Sequence, residues 1–83
     1  MEKNLYTRRQ QVLLELLREI RQTAELRQED VAEKLNRPQS FVSKYESGER
    51  RLDVLELWDV CEALGISPIA FAKQLDRKLI ELS

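Results

Sequence analysis

The chain has 83 residues, 42% of them hydrophobic and 35% charged, which supplies one modest core and too little for two domains. With no histidine and a single cysteine, Cys61, a Cys/His zinc site, an intrachain disulfide and a catalytic histidine are excluded, and no cofactor, metal or enzymatic activity is expected. Two glycines and two prolines leave few turn signals and suit an all-α bundle rather than a sandwich or barrel. The net charge of −1 is unevenly spread: residues 1–26 and 27–51 each carry +1, and residues 52–83 carry −3. No apolar run approaches the ~20 residues of a membrane span. Met1-Glu2-Lys3-Asn4 lacks the pattern of a signal peptide, so a single cytoplasmic domain over residues 1–83 is expected.

Five helices are predicted in chain order. The first runs from near Thr7 to about Thr23, with Leu13, Leu17, Ile20 and Ala24 at three- and four-residue steps and Val12, Leu14 and Leu16 widening the face. The second covers Gln28 to Leu35 and buries Val31, Ala32 and Leu35. Glu29 and Asp30 in its first turn complement the helix dipole, and Asn36, which tolerates a left-handed backbone, ends it. After Pro38 a third helix spans Gln39 to Ser47, with Val42 and Tyr45 inward and Gly48 at the exit. Asp53 and Glu56 have capping-box spacing and open a fourth helix with Val54, Leu57, Cys61 and Leu64 inward and Gly65 at its end. Ser67-Pro68 starts the fifth, over 68–82, with Phe71, Ala72, Leu75, Leu79 and Leu82 along one side.

The second and third helices, joined by Asn36-Arg37-Pro38, make a helix-turn-helix over 28–47. If Val31, Ala32, Leu35, Val42 and Tyr45 lock the pair, then Gln39, Ser40, Ser43 and Lys44 face away and suit base edges in a major groove. The stretch from Lys34 to Tyr45 carries Lys34, Arg37 and Lys44 and no acid, a local basic surface inside a weakly acidic chain.

The segments Leu26-Arg27-Gln28-Glu29-Asp30-Val31-Ala32-Glu33-Lys34-Leu35 and Gln39-Ser40-Phe41-Val42-Ser43-Lys44-Tyr45-Glu46-Ser47-Gly48-Glu49-Arg50-Arg51 resemble the second helix and the recognition helix with exit loop of the Cro/phage-repressor-like, XRE-type helix-turn-helix family. Ala63-Leu64-Gly65-Ile66 resembles that family's fourth-helix end, and the likeness covers roughly residues 10 to 72. It implies a five-helix phage-repressor-like fold and a sequence-specific DNA-binding transcriptional regulator. The expected form is a homodimeric repressor on a pseudo-palindromic operator of double-stranded DNA. By the same resemblance, Gln39, Ser40, Ser43 and Lys44 are base contacts, and Gln28, Arg37, Arg50 and Arg51 are phosphate contacts. Arg21 is then paired with Glu46. Arg27 departs from the usual Ser or Thr cap, Asn36 stands for a common glycine, and Arg37 replaces an apolar turn residue.

Phe71, Leu75, Leu79 and Leu82, with Ile69 and Ile80, are the expected dimer surface. Trp58 and Leu55 lie off the fourth helix's main stripe and either pack on the fifth helix or join that surface. Phe41 either packs inward or offers an apolar edge to a thymine methyl, with packing favoured, and Cys61 is expected to be a buried, inert thiol. A chain of this length leaves no room for a sensing domain, so regulation is expected from concentration, a protein partner or proteolysis. The alternative is an adaptor or antitoxin-like partner that keeps the fold without reading bases.

Overall fold

A computed structural model describes residues 5–82; Met1–Asn4, read above for a signal peptide, lies outside the described residues. The chain forms α1 (Leu5–Thr23), α2 (Gln28–Leu35), α3 (Gln39–Ser47), α4 (Val54–Leu64) and α5 (Pro68–Glu81), with no strand among the described residues. No helix of these is long and apolar enough to cross a membrane. The first helix begins at Leu5, ahead of the expected start near Thr7.

Local chemistry sets the other boundaries. Asn36 adopts φ 57°, and the Asn36 and Arg37 N–H groups fold back onto the Glu33 and Ala32 carbonyls, closing α2. Gly48 and Gly65, at φ 88° and 82°, do the same for α3 and α4. At the head of α4, the Asp53 carboxylate accepts the Glu56 N–H at 2.7 Å and the Glu56 carboxylate accepts the Asp53 N–H at 3.1 Å. Ser67 Oγ accepts the Ala70 N–H at 3.0 Å, with Pro68 in the first helical position.

Arg27, which cannot accept, still heads an ordered helix. Its own N–H donates to Asp30 Oδ2 at 2.7 Å, and its guanidinium grips the same carboxylate at 3.1 and 3.2 Å. These bonds hold the Asp30 carboxyl below its ordinary range. Half a capping box plus an ion pair therefore replaces the missing hydroxyl cap.

The core draws on every helix: Leu16 and Leu17 from α1, Val31 and Ala32 from α2, Phe41, Val42 and Tyr45 from α3, Val60, Cys61 and Leu64 from α4, and Phe71 from α5. Each large apolar side chain so buried contributes ~1.5–3 kcal/mol. The spine is α1, packed on both α3 and α5, while α2 bridges α3 and α4.

Four residues depart from the expectation drawn from sequence. Val54 is exposed, since it is the first residue of α4 and projects before the helix reaches its neighbours; Val60 is fully buried on the stripe instead. Ala24 and Ala72 are exposed, Ala24 because α1 has ended by Thr23 and helical spacing no longer aims it. Phe71, counted above as dimer surface, is 2% exposed and fills the monomer's own core, while Leu75, Leu79 and Leu82 are half-buried.

Candidate nucleic-acid interface

The third helix has two unlike faces. Phe41, Val42, Tyr45 and Glu46 are buried, with the Phe41 and Tyr45 rings meeting edge to face at 5.6 Å and 71°. Gln39, Ser40, Ser43 and Lys44 are all exposed. Packing on α1 and α2 thus fixes the helix from behind and leaves its polar side clear.

Glu46 is the anchor of the buried side. Its carboxylate, 1% exposed, receives Arg21 Nε at 2.7 Å and Arg21 Nη2 at 3.1 Å, a bidentate pair between residues 25 positions apart. Arg21 Nη1 also donates to the Leu26 carbonyl at 2.9 Å, so one guanidinium ties α1 to both the α1–α2 turn and α3. Arg18 approaches the same carboxylate more loosely, at 3.6 Å.

From Glu46 a hydrogen-bond chain leads outward. Gln28 Nε2 donates to Glu46 Oε1 at 2.9 Å, and Gln39 Nε2 donates to Gln28 Oε1 at 3.2 Å. This network also assigns which way each amide faces. Gln28 and Gln39, one expected on phosphate and one on a base, are therefore a coupled pair. Each keeps donor capacity, and Gln39 its Oε1, for an outside ligand.

At the far edge of α3 two arginines converge. Arg37 and Arg50 place their guanidinium carbons 4.3 and 4.8 Å from the centre of the Phe41 ring. Phe41 is thus packed, and cations cover its ring. Arg50 also grips Glu56 through Nη1 at 2.9 Å and Nη2 at 2.7 Å, and Arg37 Nη2 reaches the same carboxylate at 3.4 Å. Hydrogen bonding from Arg50 and from the Asp53 N–H pulls the Glu56 carboxyl down to about 2. Arg51 is exposed in the same loop, and its carbonyl accepts from Arg50 Nη1 at 3.1 Å.

Sequence reasoning gave Glu56 only a capping role. Its pairing with Arg50 crosses the exit loop, where no helical spacing signals a contact. Elsewhere, Cys61 is fully buried and its thiol is pushed up to about 11, chiefly by desolvation, so it is inert. Leu55 and Trp58 remain exposed, at 75% and 46%, and with Val54, Ile69 and Ile80 they are the exposed large apolar side chains among the described residues.

Two short helices, the second tied to α1 by a buried ion pair and to the first by the Gln28–Glu46 hydrogen bond, with a polar face turned outward, define a helix-turn-helix domain. The helix-turn-helix family model matches residues 17–71. An XRE-family-like protein from Pseudomonas syringae pv. tomato str. DC3000 is similar at 46% identity and TM-score 0.83, over 88% of this chain and 89% of that one. A point mutant of the restriction-modification controller protein C.Esp1396I matches at 25% identity and TM-score 0.82, over 100% of both chains. The same controller bound to its highest-affinity operator site matches at 25% identity and TM-score 0.79, over 95% of this chain and 99% of that one. No curated protein matches the chain. The chain belongs to the XRE-type helix-turn-helix family of DNA-binding transcriptional regulators.

Proposed function

We propose that the protein is a dimeric, cytoplasmic repressor that lays α3 in the major groove of a pseudo-palindromic operator. One observation carries this reading: Gln39, Ser40, Ser43 and Lys44 form an exposed polar face on a helix whose opposite side is buried. Gln39 can pair bidentately with adenine and Lys44 can donate to guanine O6 and N7. Gln28, Arg37, Arg50 and Arg51 flank that face and carry donors suited to phosphate, which sets register without reading sequence. The operator-bound controller with the same fold supports DNA as the partner.

The dimer surface is assigned to the exposed apolar side chains Val54, Leu55 and Trp58 of α4 with Ile69 and Ile80 of α5. The outer edges of the half-buried Leu75, Leu79 and Leu82 extend it. A second copy of the chain is the occupant: a two-fold pair sets two recognition helices about 34 Å apart, one turn of DNA. The single domain is proposed to span residues 1–83.

Binding sites selected from a random duplex pool provide the test. Replacing Gln39 or Lys44 by Ala should cost ~1–3 kcal/mol on the selected site and relax preference at one or two base pairs. Loss of affinity by Lys44→Ala in equal proportion on selected and scrambled DNA would make Lys44 a phosphate anchor and refute the reading face. An adaptor that does not read DNA shows no salt-dependent shift with any duplex.

A further inference from the structure

Arg37 precedes the recognition helix and Arg50 follows it, yet both guanidiniums end on one ring, Phe41, and one carboxylate, Glu56. The Nη2 atoms of both reach the same oxygen, Glu56 Oε2, at 3.4 and 2.7 Å. Glu56 is itself held from a third side, since its other oxygen accepts the Asp53 N–H at 3.1 Å at the head of α4. Its carboxylate is only 15% exposed, whereas the arginines are 43% and 39% exposed. The acid therefore sits behind and the cations in front.

The donor inventory leaves that front open. Arg50 commits both Nη1 protons, one to Arg51 and one to Glu56, and one of its Nη2 protons. Its Nε–H and second Nη2–H remain, and Arg37 commits a single N–H. An oxyanion can then be held on the outer side of the pair while Glu56 stays in place.

We propose that Glu56 is a positioning residue that makes Arg37 and Arg50 a single clamp for one backbone phosphate. By subtracting one charge, it also limits the protein's grip on random duplex and so preserves sequence discrimination. This rests on the DNA-binding reading above. Two cations and one acid leave a net single charge, matching one phosphate. With Glu56 neutral the same clamp carries two charges, attracts any duplex more strongly, and loses the partner that fixes both guanidiniums.

The experiment measures affinities of the wild type, Glu56→Gln, Arg37→Gln and the double variant on a random-sequence duplex and on the wild-type selected site, over a salt series. Glu56→Gln should steepen the log–log salt slope on random duplex by about 0.9. The affinity lost between about 50 and 200 mM salt then grows roughly 3.5-fold, and the selected-to-random ratio falls. Arg37→Gln should make the slope shallower by about 0.9, and the double variant should return it to the wild-type value.

A merely structural Glu56 gives a different result: both affinities drop together, the slope stays, and the double variant restores nothing. That outcome overturns the proposal. If Glu56→Gln does not fold by circular dichroism, Arg37→Gln decides, because it touches no helix cap; an unchanged slope there overturns the clamp. Wild-type protein that binds no duplex at the lowest salt sinks the DNA reading and the clamp together. Wild-type binding with an unaltered Glu56→Gln slope sinks the clamp alone.

Discussion

Replacing Glu46 tests how the recognition helix is held. The carboxylate is 1% exposed and satisfies two Arg21 donors and one Gln28 donor, while Arg21 itself is 11% exposed. Glu46→Ala leaves the guanidinium desolvated, with the Leu26 carbonyl as its remaining partner among the described residues. Breaking a buried pair in this way costs ~3–5 kcal/mol. At ~0.05–0.15 kcal/mol per residue the whole chain is worth only ~4–12 kcal/mol, so the loss takes a large share.

In a domain of this size, 3 kcal/mol lowers Tm by ~12–24 °C. Glu46→Gln keeps the shape and one acceptor but turns an amide NH2 toward donors, for a smaller loss of ~1.5–3 kcal/mol. Arg18→Ala is the control: Arg18 is half exposed and 3.6 Å away, a contact worth ~0–1 kcal/mol. Thermal and urea unfolding of these variants, with an Arg21→Met/Glu46→Leu double, gives the readout. The double, having no orphaned charge, should be more stable than Glu46→Ala. A Glu46→Gln Tm within about 2 °C of wild type, or a double that loses the full sum of its singles, would show that the pair does not anchor α3.

Four further outcomes are expected. Glu25, at φ 60° in the α1–α2 turn, pays for a left-handed backbone, so Glu25→Gly should raise stability by ~0.5–1 kcal/mol in urea unfolding. Glu56 has a native pKa of about 2 against an ordinary 4.5, so its contribution is present above about 4.5 and lost as pH falls through about 2; acid titration of Glu56→Gln should show a flatter loss over that window. Cys61, fully buried with its thiol near 11, should react with a disulfide reagent at neutral pH only as fast as the chain opens. Trp58→Asp, at an exposed position, should yield a folded monomer in sedimentation at tens of micromolar, and an unchanged dimer would remove α4 from the interface.

Much of the fold was legible because its boundaries are written in side-chain chemistry. Asn36, the Asp53–Glu56 box and Ser67-Pro68 each act within four residues of themselves, so α2 through α5 could be placed closely. Burial was less legible wherever spacing stops describing geometry. Val54 fits the α4 stripe by number but sits at the helix tip and is exposed, whereas Val60, beside Cys61, is fully buried in the core. On α5 the apolar stripe was visible, but sequence alone does not say whether Phe71 covers its own core or a second chain; the structure gives it to the former. At the interface, the outward face of α3 followed from its inward one. The Glu56 contacts did not, because they depend on where the loop after Gly48 returns in space.

The separation of the two faces of α3 has a consequence for redesign. Ser40, Ser43 and Lys44 make no side-chain hydrogen bond or ion pair through their polar groups to the rest of the described domain, while the buried side of the helix is made of Phe41, Val42, Tyr45 and Glu46. Side chains at these three exposed positions can therefore be exchanged with stability changes within about 0.5 kcal/mol, as for other exposed positions free of caps and core contacts. Gln39 is the exception. Its amide rests on Gln28, which rests in turn on Glu46, so a library that varies position 39 alone samples side chains against a fixed neighbour chosen for glutamine. Positions 28 and 39 have to be randomised as a pair, and if α3 reads bases as proposed, altered specificity and altered stability travel together there.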